Sequence, residues 1–340
     1  MAGGSLNANS AKTGLRRVAT VLVMHPPTVL RAGLSLAALT LAIAACAASS
    51  PTGPSPTATP SPAHSSALAS SSPPASPVPA GSPASAGSPN LAPPAHTVVV
   101  VMENHAYSQV IGSHDAPFIN ALARQGALFT SSYAIGHPSE PNYLALFSGS
   151  TQGVTDDSCP HRFTAPNLGS ELIAAHLTFA GYSENLPVAG SGVCDAGGYA
   201  RRHVPWTNFA NVPASASQPF SRFPAGSYGR LPTVSFVIPN VCHDMHDCSV
   251  AAGDTWLRAH IGGYATWART HDSLLILTWD EDDDSSGNHI PTIFVGQMVR
   301  PGSYGFRITH YSVLRTIEQI YHLRPDAHAA SASMITGIWR

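Results

Sequence analysis

Apolar, β-branched runs recur along the chain after residue 95 and predict buried strands. The clearest are His96–Met102 (HTVVVVM) and Ser273–Trp279 (SLLILTW), with further runs at 233–239 and 291–296 and a weaker one at 127–133. Continuous apolar runs, without alternating polar positions, are typical of parallel strands that are covered on both faces.

Segments with the apolar spacing of amphipathic helices lie between these runs. This spacing predicts helices at 117–125, 141–147, 168–177, 254–269 and 311–321. Because strands and helices alternate, we expect an α/β fold, a three-layer α/β/α sandwich with a mostly parallel central sheet.

Residues 46–95 consist almost wholly of Ala, Ser, Pro, Thr and Gly. Such a segment offers too little apolar surface to offset the entropy lost on folding, so we expect a disordered tether here. Residues 96–340 then have the length of one α/β domain, which we expect to carry the activity.

The first 45 residues resemble an export signal. Three arginines precede an apolar run at 32–45, which is short for a membrane span. The run ends in IAAC, a pattern that fits a bacterial lipobox and predicts cleavage before Cys46 and a lipid anchor on its thiol. The alternative is an ordinary signal peptide and a secreted protein. Both predict an extracytoplasmic location.

Four further cysteines follow the tether, an even number in a chain expected to be exported. Three pairings are possible. We favour Cys242–Cys248, which closes a short loop, together with Cys159–Cys194. A zinc site is the rival, but the sequence contains no Cys-x-x-Cys spacing.

The charge balance argues against a nucleic-acid partner. After Cys46 the chain has 13 arginines, no lysine and all 19 acidic residues, whereas nucleic-acid binding requires a basic surface. An acidic protein that handles anionic phosphate would need a metal ion or a local cationic pocket.

Polar side chains follow the predicted strands, where ligands bind in open α/β sheets. Glu103 and Asn104 follow the first strand, and Asp280 and Glu281 follow SLLILTW. Their oxygen atoms suit a divalent cation. For the acidic residues 282–284 we instead expect a solvated loop.

Ser139 precedes a helix that has Pro141 in its first turn. A helix N-cap would explain this serine equally well. A helix start also presents free N–H groups to phosphate, and a serine beside a cation could lose its proton and attack phosphorus. The local sequence leaves both interpretations open.

The 17 histidines include four in loops beside these segments. They are His137, His246, His289 and His310. Each alone is more often structural, but we expect at least two of the set to bind metal, hold phosphate oxygens or protonate a leaving group.

Several segments in this order, HPSEPNYLALFSG, TWDEDDDSSGNHIPTIFVG and THYSVLRTIEQIY among them, resemble the acid phosphatase/phospholipase C phosphoesterase family. The resemblance covers essentially all of 96–340 and is greatest to secreted mycobacterial acid phosphatases. It implies the alkaline-phosphatase-like fold and hydrolysis of phosphomonoesters, including phosphoinositide head groups, through a phosphoserine.

The resemblance also implies roles for individual residues. It places Glu103, Asn104, Asp280 and Glu281 in the metal site, and Ser139 at the nucleophile position. We expect catalytic roles for His137, His246 and His310, and substrate-binding roles for Asn142, Asp247 and His289. The metal is divalent, with calcium, magnesium, manganese, zinc and iron all open.

Two rival functions remain. A phospholipase C-type phosphodiesterase is the nearer one, although members with that activity are typically longer and commonly carry threonine at the nucleophile position. A non-catalytic surface lipoprotein is the other, and the presence of Glu103, Ser139 and Asp280 argues against it. The sequence leaves the natural substrate and the oligomeric state undetermined.

Overall fold

A computed structural model describes residues 92–340. The predicted signal peptide, Cys46 and the tether up to residue 91 lie outside these residues. Within the described range, every helix is too short or too polar to cross a membrane.

The described residues contain twelve strands, most of them short. In chain order they are β1 His96–Met102, β2 Ala127–Phe129, β3 Ser132–Tyr133, β4 Phe179–Ser183, β5 Asp195–Ala196, β6 Tyr199–Ala200, β7 Ser217–Pro219, β8 Val234–Ile238, β9 Ser273–Trp279, β10 Thr292–Gly296, β11 Gly302–Tyr304 and β12 Ile308–Thr309.

Eight of these strands form one sheet in the order β11-β2-β10-β9-β1-β8-β4-β7. The five strands β9, β1, β8, β4 and β7 are parallel, and β10 runs antiparallel to both of its neighbours. The mostly parallel sheet predicted from the sequence is therefore confirmed.

Two strand predictions need correction. The run at 127–133 is two strands, because β2 joins the main sheet whereas β3 pairs with β12. Strand β4 was missed because its sequence, FAGYS, lacks a β-branched run. Its Gly181 lies so close to the indole of Trp206 that a Cβ atom would collide with the ring, so packing explains the glycine.

Seven α-helices accompany the strands. They are α1 Tyr107–Val110, α2 Pro117–Gln125, α3 Ser139–Ser148, α4 Leu168–Ala174, α5 Val250–His260, α6 Gly262–Ala268 and α7 His310–Ile320. The helix predicted at 254–269 is two helices, which meet at Ile261.

The core has two parts, one on each face of the sheet. Val99 and Val101 of β1 pack into one apolar cluster, together with residues of α3, α4 and α7. Val98 and Val100 pack into the other, with residues of α2, α5 and α6. Because successive strand side chains point to opposite faces, this division shows the expected three layers.

Both disulfides form in the pairing favoured from the sequence. Cys159 bonds to Cys194 with a Cα–Cα distance of 6.0 Å, and Cys242 bonds to Cys248 with 4.7 Å. The first ties the loop after α3 to β5, and the second closes the loop after β8.

Candidate functional site

The candidate site lies at the carboxyl ends of the three adjacent strands β9, β1 and β8. Met102 pairs with Trp279 at the ends of β1 and β9, so Glu103 and Asp280 enter the site side by side. The Asp280 N–H donates to the Met102 carbonyl at 2.9 Å. Both acidic side chains are buried, with 0% and 1% exposure.

Ser139 is the first residue of α3 and does not cap it. Pro138 occupies the N-cap position, and no side chain there satisfies the helix N–H groups. The Ser139 hydroxyl instead donates to Glu103 Oε2 at 3.2 Å and to Glu281 Oε1 at 3.3 Å. The N-cap interpretation is therefore wrong, and the serine faces the carboxylate cluster.

The first turn of α3 also fixes the orientation of the two glutamates. One helical turn after Ser139, the Tyr143 hydroxyl donates to Glu103 Oε1 at 2.7 Å. The Asn142 amide donates to Glu281 Oε2 at 3.0 Å, and its oxygen accepts two backbone N–H groups of residues 135 and 136. Asn142 thus orders the loop before Ser139, and its predicted role in substrate binding stays a prediction.

A second group of ligand atoms continues the cluster on the β8 side. His203 Nε2 lies 3.1 Å from Glu103 Oε1, and His203 Nδ1 lies 3.3 Å from Asp244 Oδ2. One ligand atom from each of these three buried residues lies within 4.8 Å of the other two. A metal ion could be held between them.

Sequence reasoning missed His203 and left Asp244 out of the site. His203 belongs to a short 3-10 turn with the sequence RRH, which has no spacing typical of a metal motif. Asp244 carried a signal, since it stands in HDMHD after β8. An acidic residue that lies between two histidines, in a loop directly after a predicted strand, is a pattern that could have identified Asp244 as a site residue.

Burial controls the electrostatics of the cluster. Loss of water raises the pKa of Glu103 and Asp280 well above the ordinary carboxyl range. It raises the pKa of Glu281 to about 9 and that of Asp244 to about 7. Repulsion between neighbouring carboxylates adds to the rise at Glu103, Asp280 and Glu281. Four acidic groups therefore share a buried space that disfavours their ionised forms.

A divalent cation fits this arrangement. Asp244 Oδ2 and Asp280 Oδ2 are buried without a hydrogen-bond partner among residues 92–340. The arginine ion pairs of the same range involve Asp157 and Asp195 rather than any cluster residue. Burial also lowers the pKa of His203, which keeps the neutral form that binds metal.

The backbone of the predicted ligand Asn104 holds a neighbouring carboxylate in place. Its N–H donates to Asp280 Oδ1 at 3.2 Å, which fixes one oxygen and leaves the other free. The residue has a φ of +47°, a conformation that asparagine tolerates better than most residues.

Two partly exposed histidines flank the cluster from opposite sides. His137 Nδ1 lies 3.1 Å from Glu281 Oε2. On the β8 side the His246 ring lies 5.8 Å from that of His203, and its Nδ1 lies 2.7 Å from Asp247 Oδ1.

The other two predicted histidines have different surroundings. His310, the first residue of α7, is buried and its Nε2 donates to the Asp280 carbonyl at 2.6 Å. Burial lowers its pKa to about 4, so it positions the strand end as a neutral group. His289 stacks between Tyr107 and Tyr133 and donates to the Thr130 carbonyl. These contacts hold the ring in place, and its role in substrate binding stays a prediction.

The acidic loop after Glu281 is only partly solvated. Asp284 is exposed as predicted, but Asp282 is 1% exposed. Its carboxylate accepts the N–H groups of Asp284, Ser286 and Asn288. The expectation of a solvated side chain is wrong for Asp282 because these bonds organise the loop.

Comparisons with known proteins agree with this geometry. Residues 112–324 match the Phosphoesterase family, and the chain belongs to this family. It is 57% identical over 247 residues to the phosphatidylinositol-3-phosphatase of Mycobacterium tuberculosis, a match that covers 72% of this chain and 83% of that protein. The family resemblance found in the sequence is thus confirmed.

More distant relatives extend the comparison. The chain is 28% identical over 238 residues to an acid phosphatase of Aspergillus fumigatus, and this match covers 64% of the chain but only 53% of the fungal protein. The solved structure of a Vibrio parahaemolyticus protein in the alkaline phosphatase superfamily superposes on this chain with a TM-score of 0.51. The two chains are 12% identical, and the match covers 73% of each. This likeness supports the fold.

Proposed function

We propose that this phosphoric ester hydrolase of the Phosphoesterase family cleaves phosphomonoesters by attack of Ser139 on phosphorus. The observation that carries the proposal is the position of the Ser139 hydroxyl, whose one proton is shared between Glu103 Oε2 at 3.2 Å and Glu281 Oε1 at 3.3 Å. A divalent cation bound beside these acidic groups would favour their ionised forms, and an ionised Glu103 or Glu281 is a proton acceptor within reach of the serine.

The chain supplies both activation and orientation. Proton transfer from Ser139 Oγ to Glu103 Oε2 or Glu281 Oε1 would leave the oxygen free to bond phosphorus, while the ester oxygen departs on the opposite side. Ser139 also lies at the N-terminus of the ten-residue helix α3. The positive end of the helix dipole favours a phosphate at this position.

A divalent cation would be held by Glu103, His203 and Asp244, with Asp280 beside them. When bound, it would neutralise phosphate oxygens and favour the serine alkoxide. The mixture of one imidazole with carboxylates leaves zinc, manganese and iron better matched than calcium. The hydrogen bonds from Tyr143 and from the Asn104 N–H would keep the ligand oxygens oriented.

The departing alcohol needs a proton, and we assign this role to the flanking histidines His137 and His246. Each side chain is partly exposed, at 29% and 28%, so each can contact a substrate that enters from solvent. His310 acts through Asp280 and takes no direct part.

The substrate class follows from the relatives. The 57% identical protein is named a phosphatidylinositol-3-phosphatase, so we propose phosphoinositide head groups as substrates. We also propose that the protein is exported. The signal at 1–45 would direct the domain out of the cytoplasm, and the lipobox at Cys46 would attach it to a lipid anchor. Mass spectrometry of the mature N-terminus would test whether Cys46 is acylated.

The proposal is tested with p-nitrophenyl phosphate and the Ser139→Ala variant. Turnover should fall to background while the thermal midpoint stays close to that of the parent. Ser235→Ala is a matched control, because that serine is equally buried on β8 and its hydroxyl has no partner among residues 92–340. Retained turnover in Ser139→Ala would refute the assignment.

Bis(p-nitrophenyl) phosphate and a phosphocholine ester distinguish the rival activity. Turnover of these diesters without turnover of the monoester would identify a phospholipase C-type enzyme. If the parent protein hydrolyses neither the monoester nor the diesters with any divalent metal supplied, the result would support the hypothesis of a non-catalytic surface protein.

A further inference from the structure

A cavity of about 480 Å³ is lined by residues between Pro160 and Ser217. This volume is typical of small-molecule sites. One wall is apolar, formed by Trp206, Phe209 and Val212, and the other carries His161, Arg162 and Arg201. Neither wall includes a residue of the carboxylate cluster.

The cavity has a wall with more cationic side chains than acids. Arg201 is more than nine-tenths buried, and its guanidinium donates only to the carbonyls of Gly192, Thr207 and His161. Its Nε has no acceptor, and Arg201 forms no ion pair with any acidic side chain within residues 92–340. Two arginines and one histidine line this cavity, and Glu140 is the one acid among residues 92–340 shown in contact with that wall, so the local charge favours an anionic ligand.

The cavity is connected to the catalytic serine through one residue. Glu140 follows Ser139 in α3, and its Oε1 accepts a bond of 2.8 Å from Asn208, which lines the cavity. Its Oε2 lies 3.5 Å from His161 Nε2, on the same wall. This chain of contacts joins the cavity lining to the residue that follows Ser139.

Exposed apolar side chains flank the cavity mouth. Residues 190–192 line the cavity, and on either side of them Val188 is 64% exposed and Val193 is 40% exposed. They are two of the four large apolar side chains that residues 92–340 expose most. Valines presented beside an anion-favouring cavity suit a ligand that is anionic in one part and embedded in lipid in the other.

We propose that this cavity is a second subsite, which takes the phosphodiester and glycerol part of a phosphoinositide whose phosphomonoester lies at Ser139. Arg162 and Arg201 provide the charge that faces the diester, the apolar wall packs against the glycerol esters, and the valines contact the lipid surface. The proposal rests on the proposed phosphomonoesterase function, and it explains how the site selects a membrane lipid among phosphate esters.

The test compares three substrates with the Arg162→Ala variant. They are p-nitrophenyl phosphate, a soluble dibutanoyl phosphatidylinositol 3-phosphate, and long-chain phosphatidylinositol 3-phosphate in phosphatidylcholine vesicles. We expect kcat/KM to fall about tenfold for both phosphoinositides, as for loss of one charge-assisted contact, and to stay unchanged for p-nitrophenyl phosphate. Unchanged activity on that ester also shows that the variant is folded.

Two controls sharpen the result. Arg258→Ala removes an exposed arginine from α5, on the other face of the sheet, and should leave all three activities at the parental value. Glycerophosphoinositol has the diester but no monoester, so it should inhibit the parent competitively and Arg162→Ala about tenfold more weakly.

The valines are tested by the double variant Val188→Ser, Val193→Ser. Only the vesicle substrate should lose activity, by about tenfold, since each valine loses its apolar contact with lipid. Ile173→Ser is the matched control, because Ile173 is also 40% exposed but lies on α4. Equal vesicle activity in the double variant and the parent would overturn the lipid contact.

Two outcomes overturn the subsite. One is an Arg162→Ala variant that keeps parental kcat/KM on the soluble phosphoinositide. The other is equal loss on all three substrates, which would mean a general defect. Failure of the parent to hydrolyse p-nitrophenyl phosphate would instead refute the phosphomonoesterase function, so the two failures are distinguishable.

Discussion

Removal of the Tyr143 hydroxyl tests one hydrogen bond that orients Glu103, a ligand in the proposed metal site. Tyr143 is fully buried, its hydroxyl donates to Glu103 Oε1 at 2.7 Å, and its ring stacks on that of His203 at 5.2 Å. Phenylalanine keeps the ring and the stacking, so the Tyr143→Phe variant loses only the hydrogen bond.

The expected magnitude follows from the type of bond. A hydrogen bond to a charged acceptor contributes about 1.5–3 kcal/mol, which corresponds to about a tenfold to hundredfold change in an equilibrium constant. Outer partners of metal ligands have effects of similar size on metal affinity. We therefore expect the metal dissociation constant of Tyr143→Phe to rise by about tenfold to hundredfold. Turnover at saturating metal should recover much of its parental value.

Calorimetric titration of the metal-free protein measures the affinity, and turnover against metal concentration gives a second estimate. Tyr264→Phe is the matched control, since Tyr264 is equally buried but donates to the carbonyls of His96 and Leu274, far from the cluster. That variant should lose stability and keep its metal affinity. The reasoning is refuted if Tyr143→Phe binds metal as tightly as the parent, or if both variants weaken binding equally.

Three further predictions concern charge, pH and the disulfides. Asp280→Asn keeps the acceptor for the Asn104 N–H and should lower turnover about a hundredfold. The metal-free thermal midpoint should not fall, because the amide replaces a carboxyl group whose ionised form burial already disfavours. Burial raises the pKa of Glu318 from 4.5 to about 8. Its contribution to the free energy of unfolding is therefore full below about pH 4.5 and is lost as pH rises through about 8. In denaturant titrations, the free energy of unfolding of Glu318→Gln should decline less over this pH range than that of the parent. Replacing Cys159 and Cys194 by serine should cost about 4 kcal/mol by chemical denaturation, given their separation of 35 residues; an unchanged midpoint would argue against that bond.

The sequence alone was enough to locate half of the site. Continuous apolar runs identify β1 and β9, and the side chains that directly follow them, Glu103 and Asp280, lie in the cluster. The physical reason is that parallel strands bring their carboxyl ends to one edge of the sheet. Residues placed by this rule need no knowledge of distant contacts.

Other features depended on contacts between segments far apart in the chain. Ser139 was as compatible with a helix cap as with a nucleophile until the fold placed Glu103 and Glu281 beside its hydroxyl. Asp282 resembled a solvated acid, and only the closed loop 282–288 shows why it is buried.

His203 marks the limit of sequence reasoning most clearly. It lies 100 residues after Glu103, in a turn without a recognisable motif, yet its ring bridges Glu103 and Asp244. Local composition determined the long apolar strands and the acids at their ends, because those depend on neighbouring residues. Tertiary structure alone decided which distant side chains complete the cluster, because a ligand site is defined by distances through space.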